Sequence, residues 1–203
     1  MLSRLVRVTR SSARSASCSR LSDEVFADYT FAGGHPTLIG DRRALTFSLN
    51  GLSKSAALPQ MKLGWIAASG QEREAALDRL EWIADTYLSV SAPIQYAAPH
   101  WLRSTGAVRA QILKRARANL ALLEGALAGS PFRALHCAGG WSAVIQAPRT
   151  KSEEQWVLDL LRERDVLVQP GFFYDFESEA YLVVSLLPPP DILAAAITRL
   201  LSS

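Results

Sequence analysis

The chain has 203 residues, enough to bury a sizeable core as one or two domains. Hydrophobic residues make up 49% and charged residues 20%, which is typical of a globular protein, and no apolar run reaches the roughly 18–20 residues of a membrane-spanning helix. The excess of positive charge behind the net charge of +3 comes from residues 1–22, which contain five arginines and no acidic residue. The rest of the chain has 17 basic and 19 acidic side chains. We therefore expect neither a nucleic-acid partner nor a membrane partner. Cys18 and Cys137 form no metal-ligand spacing and no disulfide framework, so no metal site is expected.

Residues 1–22 differ in composition from the rest of the chain, because they are rich in arginine and serine. This composition is typical of a mitochondrial transit peptide, and it would also suit a basic arm that binds anions. A frameshift in a GC-rich gene yields similar sequence and is the third interpretation. Without a transit peptide we expect a cytoplasmic location, since so few cysteines suit a reducing compartment.

A predicted pair of strands surrounds Lys54. Residues 45–49 alternate apolar and small polar side chains, which predicts a buried strand, and Asn50-Gly51 is predicted to end it with a turn. The apolar run at residues 63–68 predicts a second strand that returns to the sheet. Lys54 stands between two serines just past the carboxyl end of the first strand, where open α/β sheets hold their ligands. A lysine with small neighbours in such a place suits imine chemistry.

The remaining sequence predicts helices alternating with strands. Residues 69–72 have the pattern of a capping box that opens a helix. One face of this helix is predicted to carry Leu77, Leu80, Ala84 and Tyr87. Apolar residues at three- and four-residue steps predict a long amphipathic helix over residues 107–127. Strands are predicted at 132–138, 141–146, 166–171 and 181–187, with a second capping box at 152–155 and a last helix capped by Asp191.

Two stretches of the chain match a known enzyme family in order and spacing. The first is Leu21-Ser-Asp-Glu-Val-Phe-Ala-Asp-Tyr29, which is similar to a family motif Ser-Asp-Glu-Val-Tyr-Ala-Asp-Phe. The second is Gly51-Leu-Ser-Lys-Ser-Ala-Ala-Leu-Pro-Gln-Met-Lys-Leu-Gly-Trp65, which is similar to the same family's active-site segment. On these residues the chain resembles the class I/II aminotransferases, the aspartate aminotransferase-like enzymes of fold type I that use pyridoxal 5'-phosphate (PLP). The resemblance extends from about Leu21 to the end of the chain.

The resemblance implies roles for three side chains. In the family a lysine carries PLP as a Schiff base, an aspartate pairs with the pyridine nitrogen, and a basic residue eight positions after the lysine contacts the phosphate. These positions correspond to Lys54, Asp23 and Lys62. The implied reaction is amino-group transfer between a small-molecule amino donor and a keto acid, in a homodimer.

Three positions depart from the family pattern. Phe26 stands where the family commonly has a tyrosine whose hydroxyl supports the cofactor's ring oxygen. Gly51 stands where many members have a phosphate-binding serine, and Val183 where many have an arginine that grips the substrate carboxylate. The family's front half carries a glycine-rich phosphate loop, a ring-stacking aromatic residue and an Asn-Pro motif, and residues 1–22 contain no replacement for them.

The implied fold class is α/β. We expect the C-terminal part of a PLP-binding large domain, with a mostly parallel sheet, over residues 23–95, and a small α+β domain over residues 96–203, after the atypical segment 1–22. The expected function is that of a PLP-dependent aminotransferase that lacks its N-terminal half. The alternatives are a catalytically inactive fragment or non-catalytic partner protein, and a PLP-dependent carbon–sulfur lyase, since the same imine supports elimination.

Overall fold

A computed structural model of the chain describes residues 5–8, 19–31, 33–34, 37–41, 43–87 and 89–202. Most of the atypical segment 1–22, including Cys18, lies outside the described residues. The described chain divides into two compact units, Leu2–Arg109 and Ala110–Ser203, called here the first and second units. The domain limits expected from the sequence stay a prediction.

The first unit is built on a four-stranded sheet with the order β1-β2-β3-β4. Its strands are β1 (Leu5–Val8), β2 (Ser19–Asp23), β3 (Thr46–Gly51) and β4 (Gly64–Ser69). Its helices are α1 (Leu52–Ser55), α2 (Arg73–Thr86) and α3 (Ala92–Ser104). The pair β2–β3 is parallel, whereas β1–β2 and β3–β4 are antiparallel. The α/β class is confirmed, and the part of the sheet described here is mixed.

Strand β3 continues two residues further than the sequence pattern predicts. Asn50 pairs with Trp65 and Gly51 with Gly64 in the ladder to β4, so the expected turn is replaced by strand. The side chains that β3 buries are the small polar ones, with Thr46 and Ser48 at 0% and 2% exposure. The neighbouring apolar residues of the strand are only half-buried.

A small apolar core fixes α1 against its surroundings. Leu52, the first residue of α1, and Ala56, the residue that follows its last, are 0% and 2% exposed, and they form one buried cluster with Ala98 of α3. Partly buried side chains that pack against this cluster are Leu58, Met61, Leu63, Trp65 and Trp101. The short helix that follows β3 is therefore held by packing as well as by its own hydrogen bonds.

The capping box expected before α2 is wrong. The N-cap of α2 is Glu72, which has a left-handed backbone (φ 60°) and provides no side-chain cap. Ser69 is the last residue of β4, and its hydroxyl accepts a hydrogen bond from Gly40 N, 3.2 Å away, instead of capping the helix. The face predicted to carry Leu77, Leu80, Ala84 and Tyr87 is not buried, because Ala76 is the one buried residue of α2 and Tyr87, at the C-cap, is 72% exposed.

Helix α4 (Gly106–Leu127) begins at the end of the first unit and continues into the second. The amphipathic pattern predicted for it is confirmed. The residues of α4 that are buried are Ala116, Asn119, Leu120, Leu123 and Leu127.

The second unit contains an antiparallel sheet with the order β5-β6-β8-β7. Its strands are β5 (Arg133–Ala134), β6 (Ser142–Gln146), β7 (Gln169–Pro170) and β8 (Tyr181–Ser185). Its further helices are α5 (Glu153–Arg164) and α6 (Pro190–Leu201). The strands are shorter than predicted, but the helix-and-strand order is as expected.

The two helix starts predicted in the second unit have different outcomes. The capping box of α5 is confirmed, because the Ser152 hydroxyl accepts from Gln155 N and the Gln155 side chain accepts from Ser152 N. The cap predicted at Asp191 is wrong. Helix α6 begins one residue earlier with Pro190, whose fixed φ suits the first helical position and which needs no hydrogen-bond partner for its nitrogen.

None of the described helices is long and apolar enough to cross a membrane. Over the same residues, no group of three or more histidine, cysteine, aspartate and glutamate side chains is placed to hold a metal ion.

Candidate active site

The parallel strand pair brings two of the predicted site residues to one edge of the sheet. Asp23 is the last residue of β2 and lies opposite Leu49 of β3. Strand β3 ends two residues later, and Lys54 follows in α1. Because parallel strands have their carboxyl ends at the same edge, Asp23 and Lys54 both lie beyond that edge, where α/β proteins bind ligands.

Lys62 lies beyond the same edge, on the segment that returns from α1 to the sheet. Strand β4 begins at Gly64, opposite Gly51 at the end of β3, so Lys62 comes two residues before the pairing starts. Its side chain is exposed, and its backbone is left-handed with φ 51°. Left-handed backbone is unfavourable for a residue with a Cβ atom, and such strain persists only where the surrounding structure imposes it.

Lys54 is held through both its main chain and its side chain. The Tyr29 hydroxyl donates a hydrogen bond to the main-chain oxygen of Lys54, at 2.9 Å. The Lys54 Nζ atom lies 5.8 Å from the centre of the Phe26 ring. The helix itself is tied to β3, because the buried Ser55 hydroxyl donates to the main-chain oxygen of Gly51 at 2.7 Å.

The half-buried Asp23 carboxylate has one oxygen engaged by its own turn. Its Oδ1 atom accepts a hydrogen bond from Val25 N, at 3.1 Å. The Oδ2 atom accepts none from the residues that the structure describes. A carboxylate in this state has an acceptor available for the N–H of a bound aromatic ring.

Glu24, the residue after Asp23, is a structural anchor that the sequence reasoning missed. Its side chain is 4% exposed, and its two carboxylate oxygens accept hydrogen bonds from Leu38 N (2.9 Å), the Thr37 hydroxyl (2.7 Å) and the Ser48 hydroxyl (3.0 Å). Burial by itself would raise the pKa of Glu24. The hydrogen bonds from Leu38, Thr37, Ser48 and Ser22 outweigh burial, so the pKa of Glu24 is lowered and the group stays charged.

Main-chain contacts reinforce this anchor. Glu24 N donates to the oxygen of Leu49 at 2.9 Å, and the Asn50 side chain donates to the oxygen of Glu24 at 3.2 Å. The end of β2 that carries Asp23 is therefore fixed to β3. The sequence signal was the facing pair Ser22 and Ser48, whose small polar side chains indicate a polar partner between the strands.

Packing explains why position 51 is a glycine. A Cβ atom at Gly51 would lie 2.9 Å from the main-chain oxygen of Leu63, closer than a carbon can approach without movement of the backbone. That same oxygen accepts a hydrogen bond from Leu52 N, at 3.0 Å. A serine at position 51 would therefore disturb the junction between α1 and β4.

Position 183, where many family members have an arginine, is part of the core of the second unit. Val183 is 7% exposed in β8 and pairs with Val144 of β6 and Gln169 of β7. An apolar side chain at this place provides no charge for a substrate carboxylate.

Comparison with known proteins gives the family. The sequence profile of the family described as aminotransferase class I and II matches residues 5–197. The chain belongs to this family. The aminotransferases of this family are PLP-dependent. The match includes much of the atypical segment 1–22, whose three interpretations stay predictions.

Individual relatives are aminotransferases as well. The chain is 28% identical over 169 residues to glutamate-pyruvate aminotransferase AlaA of Haemophilus influenzae, covering 77% of this chain and 41% of that protein. It is 30% identical over 173 residues to alanine aminotransferase of Mycobacterium tuberculosis, covering 79% and 39%.

Solved structures share the fold. Alanine aminotransferase from Pyrococcus furiosus aligns with a TM-score of 0.80 at 21% identity, over 90% of this chain and 48% of that chain. An aromatic aminotransferase from Pyrococcus horikoshii aligns with a TM-score of 0.75 at 23% identity, over 90% and 50%. The chain thus spans half or less of the length of these relatives.

Proposed function

We propose that this chain is the C-terminal part of a PLP-dependent aminotransferase, with Lys54 as the cofactor-binding lysine, Asp23 as the partner of the pyridine nitrogen and Lys62 as the partner of the phosphate. One observation carries the proposal. The parallel pair β2–β3 presents Asp23 and Lys54 beyond the same edge of the sheet, within the range that matches the family.

The chemistry of the three side chains fits the three polar ends of PLP. An amine suits its aldehyde, a carboxylate with an available oxygen suits its protonated ring nitrogen, and a second ammonium group suits its phosphate. When bound, PLP supplies an electron sink that draws charge from the α-carbon of an amino acid.

Each side chain has a distinct task in this proposal. The Lys54 amine would hold the cofactor at its aldehyde group and would move the α-proton of the bound substrate as a general acid and base. Asp23 holds a proton at the pyridine nitrogen through a charge-assisted hydrogen bond. Lys62 acts on the phosphate as a point charge, since an ammonium group offers no planar bidentate contact. Glu24 keeps the end of β2, and so Asp23, in place.

The proposed substrates are an amino acid as donor and a keto acid as acceptor. The names of the relatives point to alanine and pyruvate. However, Val183 stands where many family members have the arginine that binds the substrate carboxylate. Substrate recognition is therefore proposed to rest on other groups. A homodimer and a cytoplasmic or mitochondrial location are proposed from the family and the sequence composition.

A second candidate is a non-catalytic remnant of the family. It is favoured by three departures from the family pattern, since Phe26, Gly51 and Val183 stand where many members have a tyrosine, a serine and an arginine. This candidate predicts that PLP binds without preference for Lys54.

Titration with PLP, followed by absorbance, separates the two candidates. Lys54→Ala is expected to abolish the absorbance band of the lysine-bound cofactor. Asp23→Asn should weaken binding by about tenfold to a hundredfold, because it removes a charged hydrogen bond. Lys62→Ala should weaken it about twofold to fivefold, as expected for an exposed charge pair.

Lys114→Ala is the matched control, because Lys114 is also exposed and lies in α4. The affinity of this variant should equal that of the wild type. Equal binding by Lys54→Ala and wild type would contradict the proposal and favour the remnant.

A further inference from the structure

The two aromatic residues after Asp23 are exchanged relative to the family motif. That motif has tyrosine at the position of Phe26 and phenylalanine at the position of Tyr29, whereas this chain has the reverse order. The number of rings and hydroxyls is unchanged, but the hydroxyl has moved by three residues.

In its new position the hydroxyl binds the main chain of Lys54. Tyr29 is fully buried at 0% exposure, and its hydroxyl donates to the Lys54 oxygen at 2.9 Å. The same oxygen accepts a hydrogen bond from Ala57 N at 3.2 Å, and Ala57 has a left-handed backbone with φ 55°. The Tyr29 hydroxyl therefore holds the turn that ends α1, directly after the lysine.

The ring at position 26 contacts the other end of the lysine. The Lys54 Nζ atom lies 5.8 Å from the centre of the Phe26 ring, within the range of a cation–π interaction. Phe26 is in turn supported by Tyr29, since their ring centres are 6.5 Å apart in an edge-to-face arrangement with planes at 68°. A hydrogen bond from Tyr29 N to the oxygen of Phe26, at 2.9 Å, fixes the two residues to each other.

We propose that Phe26 and Tyr29 act together as the positioning residues of Lys54. Tyr29 fixes the main-chain carbonyl of the lysine, and Phe26 holds its ammonium group against the ring face. The exchange thus transfers the hydroxyl from a place at the cofactor ring, as the family motif implies, to a place at the lysine backbone. This proposal rests on the proposed role of Lys54, but its test requires no cofactor.

The test compares how fast the lysines react with limiting acetic anhydride. The chain has four lysines, Lys54, Lys62, Lys114 and Lys151, and mass spectrometry reports the acetylation of each. Phe26→Leu removes the ring face and should raise the Lys54-to-Lys62 ratio about twofold to fivefold. Phe26→Tyr keeps the ring and should leave the ratio at the wild-type value.

Tyr29→Phe tests the hydroxyl alone, because the ring remains. Hydrogen exchange at the Ala57 amide should become about twofold to tenfold faster, because the carbonyl that it binds is no longer held. Tyr181→Phe is the control for the loss of a tyrosine hydroxyl. Tyr181 is half-buried in the second unit, where its ring stacks on Phe176 at 4.8 Å, and its variant should change neither readout.

Three results would overturn the positioning role: an unchanged ratio in Phe26→Leu, unchanged Ala57 exchange in Tyr29→Phe, or equal changes in Tyr181→Phe. These readouts decide the role of Phe26 and Tyr29 whether or not the chain binds PLP. If the variants show the expected changes but the wild-type chain does not bind PLP, the result contradicts the proposed function and leaves the positioning role intact.

Discussion

Helices α6 and α2 show how differently the two units bury their apolar residues. In α6, Leu193, Ile197 and Leu200 are 6%, 4% and 3% exposed. In α2, Trp82 and Ile83 are 78% and 55% exposed, and Ala76 is the one buried residue among 14. The second unit completes a core from its own residues, whereas the first unit builds the surroundings of Lys54 and leaves Trp82 and Ile83 of α2 in solvent.

The exposed apolar residues of α2 bear on the stability of the first unit, and they are distinct from the residues that surround Lys54. Lys54 contacts Phe26 and Tyr29, and the helix α1 that carries it packs against α3. Burial of apolar surface is the main source of stability, so the second unit is expected to be the more stable of the two. Two predictions test this comparison, and two more test the buried carboxylates of the units.

The largest effect is expected from truncation of apolar side chains in the two helices. Leu193→Ala in α6 should lower the free energy of unfolding by about 2–5 kcal/mol, because it leaves a cavity. Ile83→Ala in α2 should lower it by less than about 1 kcal/mol, because the side chain is already in solvent. Urea unfolding of both variants measures this, and equal losses would contradict the comparison.

Hydrogen exchange should give the next largest effect. Amides in the middle of α6 are expected to exchange at least about a hundredfold more slowly than those of α2, since protection follows burial of the helix. Mass spectrometry of peptides from both helices provides the measurement. If α2 is protected as strongly as α6, its exposed face does not weaken it.

The smallest effect concerns one buried carboxylate in each unit. Glu24 is 4% exposed, and Glu153 is 2% exposed and accepts hydrogen bonds from Phe172 N and Tyr181 N at 2.9 and 2.7 Å. Glu24→Gln and Glu153→Gln should each cost about 1–3 kcal/mol, because an amide cannot accept all of these bonds. Glu124→Gln, at an exposed position of α4, is the control and should cost almost nothing.

The effect of Glu24 should depend on pH in a defined direction. The pKa of Glu24 is lowered in the folded chain, so its contribution is fully present above the unfolded value of about 4.5 and is lost as pH falls through the lower folded pKa. Wild type and Glu24→Gln should therefore converge in stability at acidic pH. A constant difference between them from pH 7 to pH 2 would show that the charge is irrelevant.

Sequence patterns predicted the elements whose signals are local. The capping box at Ser152 and Gln155 and the apolar stripe of α4 depend on residues three or four positions apart, and the structure confirms both. The expected cap of α2 failed because the Ser69 hydroxyl is engaged by Gly40, a residue 29 positions away. No local pattern contains that contact.

In the candidate site, too, local patterns predicted some features and long-range contacts determine the others. The alternating pattern of residues 45–49 was enough to predict that Lys54 follows a sheet strand. The burial of Glu24 depends on Leu38 and Ser48, and the contact of Tyr29 with Lys54 spans 25 positions. These long-range contacts position the site, and no local sequence pattern predicts them.

The most direct test of the proposed site is to find which lysine PLP occupies. The wild-type chain is incubated with PLP, the link is made permanent with borohydride, and the four lysines are mapped by mass spectrometry. Label concentrated on Lys54, and lost in Lys54→Arg without appearing on Lys62, is the predicted result. Label spread over Lys54, Lys62, Lys114 and Lys151 in proportion to their exposure would contradict the account.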